Sequence, residues 1–302
     1  MLEKEEIKLK LVAPLHHEKE IDFLKSLGVS VLMINSDCLT TRSSHFFSQS
    51  QIVTLIKKIH ETNLELYVNL NTFLHESDLI IAESYLAFLK SIDIDGIIIF
   101  DWTYYTLAKP LGLESKLIYQ PGTLTTNLYD PWFYTSFNIK GITLAREITL
   151  DSINIIAQNN VNEIELSIIG HGVIPMFYSR RPLIDNYLQT KKLNSIKYLS
   201  ETDLYIAEST REGVKYPIFE DRFGTHLFRN RYLESFNEIQ LFGTFLSDFF
   251  LERFMMDDDE FFASIKAYQN HKLIDEFMKN YGHKYDKGFY YKSTSLKLEV
   301  KR

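Results

Sequence analysis

The order of local patterns constrains this chain more than any single residue does. Short β-type runs alternate with helical ones from residue 7 to residue 170. The runs IKLKLVAPL (7–15), VSVLMIN (29–35), LELYVNLN (64–71), DGIIIFD (95–101), SKLIYQ (115–120), KGITLARE (140–147) and NEIELSIIG (162–170) read as strands. Helices lie between them. Residues 18–27 put Ile21, Leu24 and Leu27 on one face, and residues 48–63 place Ile52, Leu55, Ile56 and Ile59 at amphipathic spacing. Residues 77–90, with Ile81, Tyr85, Phe88 and Leu89 inward, and residues 150–158 continue the pattern.

Strands separated by helices need right-handed crossovers, which make the sheet parallel. Runs such as GIIIF are apolar without alternation, as expected of strands covered on both faces. A TIM-type (β/α)8 barrel and a doubly wound open sheet both satisfy this order, and the strand count favours the barrel. Residues 1–195 then hold seven barrel strands. Residues 196–235, with DLYIAES, KYPIFED and THLFRN as short antiparallel strands, form an inserted β segment. Residues 236–285 carry the last barrel strand, NEIQLFG (237–243), and helices over 259–282; residues 286–302 are expected to be a mobile tail.

Composition narrows the function classes. A net charge of −7 spread along the chain argues against a dedicated nucleic-acid module, though not against a local RNA site. One cysteine, Cys38, supports neither a disulfide framework nor a zinc or iron–sulfur site within the chain. MLEKEEIKLKLVAPL lacks the apolar stretch of a signal peptide, and no uncharged run nears the roughly 20 residues of a membrane span. The expectation is a soluble cytoplasmic protein. Neither GxGxxG, a P-loop, HExxH nor GxSxG occurs. Cys38 reads as a small core residue, His16-His17 as helix-start decoration and Asp257-Asp258-Asp259 as a solvated helix start.

In a parallel barrel, function gathers at the C-terminal ends of the strands. Those ends offer Asn69 and Asn71, Asp101, Gln120, Arg146 with Glu147, and His171; Glu165 lies within the seventh strand and points into the barrel on this reading. Singly, such residues are ordinary loop starters and helix caps. Together they make a polar pocket of amides, an acid and a guanidinium, suited to a small anionic or hydroxylated ligand.

The seventh strand ends on Gly170-His171-Gly172, followed by two prolines, Pro175 and Pro182, around a Tyr-Ser-Arg-Arg cluster. GITLAREITL followed by ELSIIGHGVIPMFYSRRPLIDNYL resembles the peptidase U32 family, the collagenase-like proteases. LVAP near the start, LYVNLNT (66–72), Asp101, Gln120 with Thr126-Asn127, and YPIFEDRFGTHLF (216–228) fit the family in order. The resemblance implies a TIM-type barrel. It also implies relatives that carry out oxygen-independent hydroxylation on ubiquinone precursors, ribosomal RNA or the wobble uridine of tRNA, with four cysteines holding a [4Fe–4S] cluster.

Against that pattern, the first two motif cysteines fall on Pro175 and Pro182, the third within TKKLNSIKYL (190–199), and the fourth near Glu234. The family's Lys-Ile-Glu-Gly-Arg strand aligns with QLFGT, so its Lys, Glu and Arg become Gln240, Phe242 and Thr244. Arg146, Glu147, Glu165, His171, Gly172, Tyr178, Ser179 and Arg181 remain. The resemblance therefore implies a cluster-less member with no cofactor of its own. It looks like the cysteine-poor partner of a cluster-bearing paralogue in Gram-positive bacteria, acting in prephenate-dependent 5-hydroxyuridine formation. Glu165, His171, Arg146 and Glu147 would then be catalytic. Asn69, Asn71, Asp101, Gln120, Asn127, Tyr178, Ser179 and Arg181 would bind a small anionic ligand or, with Lys191-Lys192, tRNA. A literal peptidase and a non-catalytic scaffold are the alternatives; a peptidase needs an activated nucleophile or a metal-bound water, and the sequence offers no clear set.

Overall fold

The computed structural model describes residues 9–161, 164–193, 204–243 and 245–292. Eight parallel strands close into a barrel: β1 (Lys10–Pro14), β2 (Val31–Asn35), β3 (Glu65–Leu70), β4 (Gly96–Ile99), β5 (Leu117–Tyr119), β6 (Gly141–Thr143), β7 (Glu165–His171) and, after an excursion, the strand Asp248–Leu251, which pairs with both β7 and β1. Helices α1 (Ile21–Ser26), α2 (Gln49–Glu61), α3 (Leu79–Lys90), α4 (Thr103–Ala108), α5 (Tyr129–Thr135) and α6 (Leu150–Gln158) fill the crossovers. α2 shows how local chemistry sets an element. Ser48 and Gln51 form a reciprocal capping box, and Ile52, Leu55, Ile56 and Ile59 are the buried stripe that the spacing predicts.

The excursion between β7 and the last barrel strand holds β8 (Pro175–Ser179), α7 (Leu183–Thr190), β9 (Tyr205–Ala207), β10 (Lys215–Asp221), β11 (Gly224–Phe228), β12 (Tyr232–Leu233) and α8 (Ile239–Phe242). The last barrel strand is thus β13, and α9 (Asp258–Gln269), α10 (Ile274–Tyr281) and β14 (Tyr285–Asp286) follow it. β8, β11, β10 and β9 form a separate four-stranded sheet in that order, so the segment after Gly172, which precedes the expected inserted β segment, supplies one of its strands.

Two expectations need correction. NEIQLFG is not the eighth strand but contains the single helical turn α8. Its buried residues, Ile239 and Phe242, are three apart and face the core, while Leu241 is exposed, a helical rather than an alternating spacing. The strand is the next apolar run, DFFL, whose Phe249 and Leu251 join the core around the barrel and whose Phe250 joins the core inside it. In α3 the buried stripe is Ala82, Tyr85, Leu86 and Leu89, and Ile81 is exposed; the small Ala82 sets the face where the bulkier neighbour was expected to. Thr244, most of TKKLNSIKYL and residues 293–302 of the expected tail lie outside the described residues.

Val12, Val31, Tyr67, Ile98, Ile169 and Phe250 are among the side chains that fill the barrel. The barrel is therefore a packed core, and any ligand site must lie at its ends.

Candidate functional site at the barrel mouth

The C-terminal ends of the strands surround a cleft of about 630 Å³, counting its solvent-open part. Asn35, at the end of β2, donates to Ser43 Oγ at 2.8 Å, and Asn69 of β3 donates to Asn35 Oδ1 at 2.9 Å. Asn69 Oδ1 is buried and has no partner among the described residues. Asn71 Oδ1 accepts from the Thr41 N–H at 2.8 Å, and Gln120 donates to Thr143 Oγ1 at 3.2 Å. Asn69, Asn71 and Gln120, all expected from the sequence, line this cleft together with Asn35, Arg42, Glu252 and Arg253, which the strand-end reading did not include.

Three arginines approach the mouth, and their states differ. Arg146 is buried and grips Glu252 with both terminal nitrogens at 2.7 Å, one of which also donates to the Val173 carbonyl at 2.5 Å. Arg253 is held by Glu20 at 2.8 and 3.2 Å and by Asp258 at 2.6 Å. Arg42 has no such partner: among the described residues its guanidinium makes neither an ion pair nor a hydrogen bond, and lies over the Phe100 ring at 6.0 Å. The residue is half-buried, and burial pushes its pKa down, with Glu252 pulling the other way.

The backbone at Arg42 is left-handed, with φ of 56°, which costs a non-glycine residue on the order of 1 kcal/mol. Asp221 of β10 holds it there, accepting from the Thr41 hydroxyl at 2.5 Å and the Arg42 N–H at 3.2 Å. Arg222 also donates to the Asp37 carbonyl, so the β10–β11 hairpin fixes the loop that carries Arg42.

The glycines around His171 have specific jobs. A Cβ on Gly170 would fall 2.1 Å from the Phe249 ring, and one on Gly172, where φ is +124°, would fall 2.6 Å from Glu252 Cβ. Gly170 thus lets β13 close on β7, and Gly172 gives Glu252 room to meet Arg146. The pairing of β7 with β13 shifts register between Ile169 and His171. His171 therefore leaves the barrel interior and packs among Phe236, Tyr268, Phe277 and Tyr285. It is fully buried, its Nδ1 lies 3.2 Å from the Tyr268 hydroxyl, and burial pushes its pKa down to about 3.

Glu165 sits at the opposite end of the same strand, roughly 20 Å away at ~3.3 Å per residue. There it faces Asp248, Lys140 and Tyr67. Burial, then the Glu165 charge, pushes Asp248 up to about 6. Glu165 and His171 are not brought together, so they share neither a proton-transfer step nor a metal. Glu147 is half-buried, and Arg146 pairs with Glu252 instead of with it. Asp101 caps the backbone at Leu74 and Thr103, and Asn127 forms an exposed turn with Asp130. Tyr178 donates to the Phe223 carbonyl and stacks on His226 and Phe73. Ser179 accepts from the N–H of Arg181, whose side chain is exposed.

The Thr41–His226 pair does not make a nucleophile. Thr41 Oγ1 lies 2.9 Å from His226 Nε2, but the Thr41 proton is given to Asp221, so Nε2 must be the donor and cannot act as base. The donor set does not fit an iron–sulfur cluster either. Pro175 opens β8, Pro182 caps α7, and Glu234 is tied to Lys287 at 2.9 Å. Cys38 bonds Ser36, with its thiol pushed up by burial, and no group of three or more metal-binding side chains forms among the described residues.

Comparison with known proteins agrees with this architecture. A tRNA hydroxylation protein, P2, of Bacillus subtilis is 29% identical over 202 residues, covering 66% of this chain and 64% of that protein. A protein of Methanocaldococcus jannaschii described as an uncharacterized protease is 31% identical over 151 residues, 49% of this chain and 36% of its own length. The matched stretches thus span less than two thirds of either relative. The structure of a U32 peptidase superposes with a TM-score of 0.50 at 11% identity, covering 83% of this chain and 96% of that one, which speaks to the fold alone. The sequence profile described as Peptidase family U32 matches residues 17–298, and the chain belongs to that family.

Proposed function

We propose that this chain works in the 5-hydroxylation of the tRNA wobble uridine, by a prephenate-dependent, oxygen-independent route, as the partner of a cluster-bearing U32 paralogue. The observation that carries the reading is the barrel mouth. Its amides and a guanidinium free of direct ion pairs among the described residues suit a hydroxylated carboxylate such as prephenate, while the donor set lacks the thiolates for a cluster. On this reading the chain binds and orients, and the redox step belongs to the partner. Similarity to the Bacillus tRNA hydroxylation protein supports the direction. For RNA contact, exposed Arg181, Lys191 and Lys192 offer a local basic surface beside Tyr187, whose ring lies 5.9 Å from Lys191 Nζ. A cytoplasmic setting follows from the substrate, and no helix among the described residues is long and apolar enough to cross a membrane.

The test is mass spectrometry of tRNA nucleosides from a strain lacking this gene and any redundant paralogue. Loss of 5-hydroxyuridine derivatives, restored by the intact gene but not by Gln120→Ala, is expected. An unchanged nucleoside profile overturns the reading. Co-purification with a cluster-bearing paralogue checks the partnership separately.

A further inference from the structure

The arginines around the mouth are not equally partnered. Glu252 neutralises Arg146, and Glu20 with Asp258 neutralises Arg253. Asp221, beside the Arg42 backbone, is occupied by the Thr41 hydroxyl and by the N–H groups of Arg42 and Phe223. That leaves Arg42 as a half-buried cation in contact with no carboxylate among the described residues, in a cleft also lined by Asn69, whose buried Oδ1 has no partner. The left-handed backbone that Asp221 pins sets where the Arg42 side chain leaves the loop, and its guanidinium is a planar fork that matches a carboxylate. An orphaned buried acceptor calls for a donor such as a hydroxyl.

We propose that Arg42 is the anion-binding residue of this cleft and that Asn69 Oδ1 accepts from a hydroxyl of the same ligand, so that the site selects small hydroxylated carboxylates. Arg146, sequestered by Glu252, is a positioning residue that keeps Glu252 folded against the rim. The proposal rests on the mouth being the ligand site, as in the function proposed above, and names the residues that recognise the ligand.

The experiment is isothermal titration of the full chain with L-malate, succinate, inorganic phosphate and prephenate. Malate should bind more tightly than succinate, which lacks only the hydroxyl, and more tightly than phosphate. Arg42→Gln should weaken malate by about tenfold or more, and Asn69→Leu should remove the preference for malate over succinate. Lys57→Gln, on the exposed face of α2, should bind as wild type does. Because Arg42→Gln could lose its fold, a second measurement uses the unaltered chain: malate should protect Arg42 from phenylglyoxal, read by peptide mass spectrometry. Unchanged malate affinity in folded Arg42→Gln overturns the proposal. So does undiminished Arg42 modification, or wild-type binding to every probe weaker than about 10 mM. Prephenate bound equally by wild type and Arg42→Gln would overturn it while leaving the proposed function standing. Arg42-dependent malate binding with unchanged tRNA nucleosides would do the reverse.

Discussion

Below pH 6.5 an unfolded chain can protonate its histidines, but the folded chain resists protonating His171. The ring is fully buried among four aromatic side chains, its Nε2 has no partner among the described residues, and its pKa is pushed from 6.5 down to about 3. A depressed pKa means that the unfolded state binds more protons below 6.5. The stability associated with neutral His171 is therefore complete above pH 6.5 and is lost as pH falls toward 3. At about 1.4 kcal/mol per pH unit, lowering the pH from 6.5 to 5 costs about 2 kcal/mol from this residue alone. His16 adds to the loss, being pushed down to about 2 by burial and by Arg253, while Asp248, raised to about 6, partly offsets it. His171→Phe isolates one contribution: it keeps a flat ring in the aromatic box, and Tyr268 keeps its bonds to Ser235 and Gly170. Urea unfolding at a series of pH values should give a variant close to wild type at pH 8 and about 2 kcal/mol less acid-sensitive between pH 6.5 and 5. Equal slopes for the two proteins, or a His171 ring that titrates near 6.5 by NMR, would refute the reasoning.

Two further outcomes follow from the same packing. Glu252→Ala strands the buried Arg146 guanidinium and should cost about 3–5 kcal/mol in urea unfolding, with Arg146→Met/Glu252→Leu recovering much of it; a loss under about 1 kcal/mol would mean that water reaches the pair. Gly170→Ala should cost about 1–3 kcal/mol by driving a methyl group into the Phe249 ring, with Phe249→Leu restoring part of the loss only in that background. An unchanged melting temperature for Gly170→Ala would refute that account.

Much of the fold was legible because the periodicities are strong. The seven strands before the excursion, the four helices read between them and the α2 stripe all stand in the structure, and β7 ends at Gly170-His171-Gly172 as read. The errors came where a local pattern was too short to decide. NEIQLFG is a four-residue helical turn in its core, and with the eighth strand placed there, Glu252 and Arg253 at the end of the true strand went unread. Arg42 was missed for a different reason. It lies in a loop, TTRSSH, with no periodicity, and its importance depends on the absence of a partner, which no run of letters displays.

By itself the sequence determined the barrel class and the family, because hydrophobic spacing and glycine placement act through neighbours along the chain. Only the tertiary structure decided which polar residues act together. A register shift of one residue beside Gly170 turned His171 out of the barrel, and the length of β7 set Glu165 at the far end. Glu20, far away along the chain, and Asp258, five residues on, neutralised Arg253, Glu252 neutralised Arg146, and among the described residues no carboxylate contacts the Arg42 guanidinium. Ion-pair contact is made over a few ångströms in space and has no fixed distance in sequence, so only the folded chain could leave that guanidinium without a contacting carboxylate.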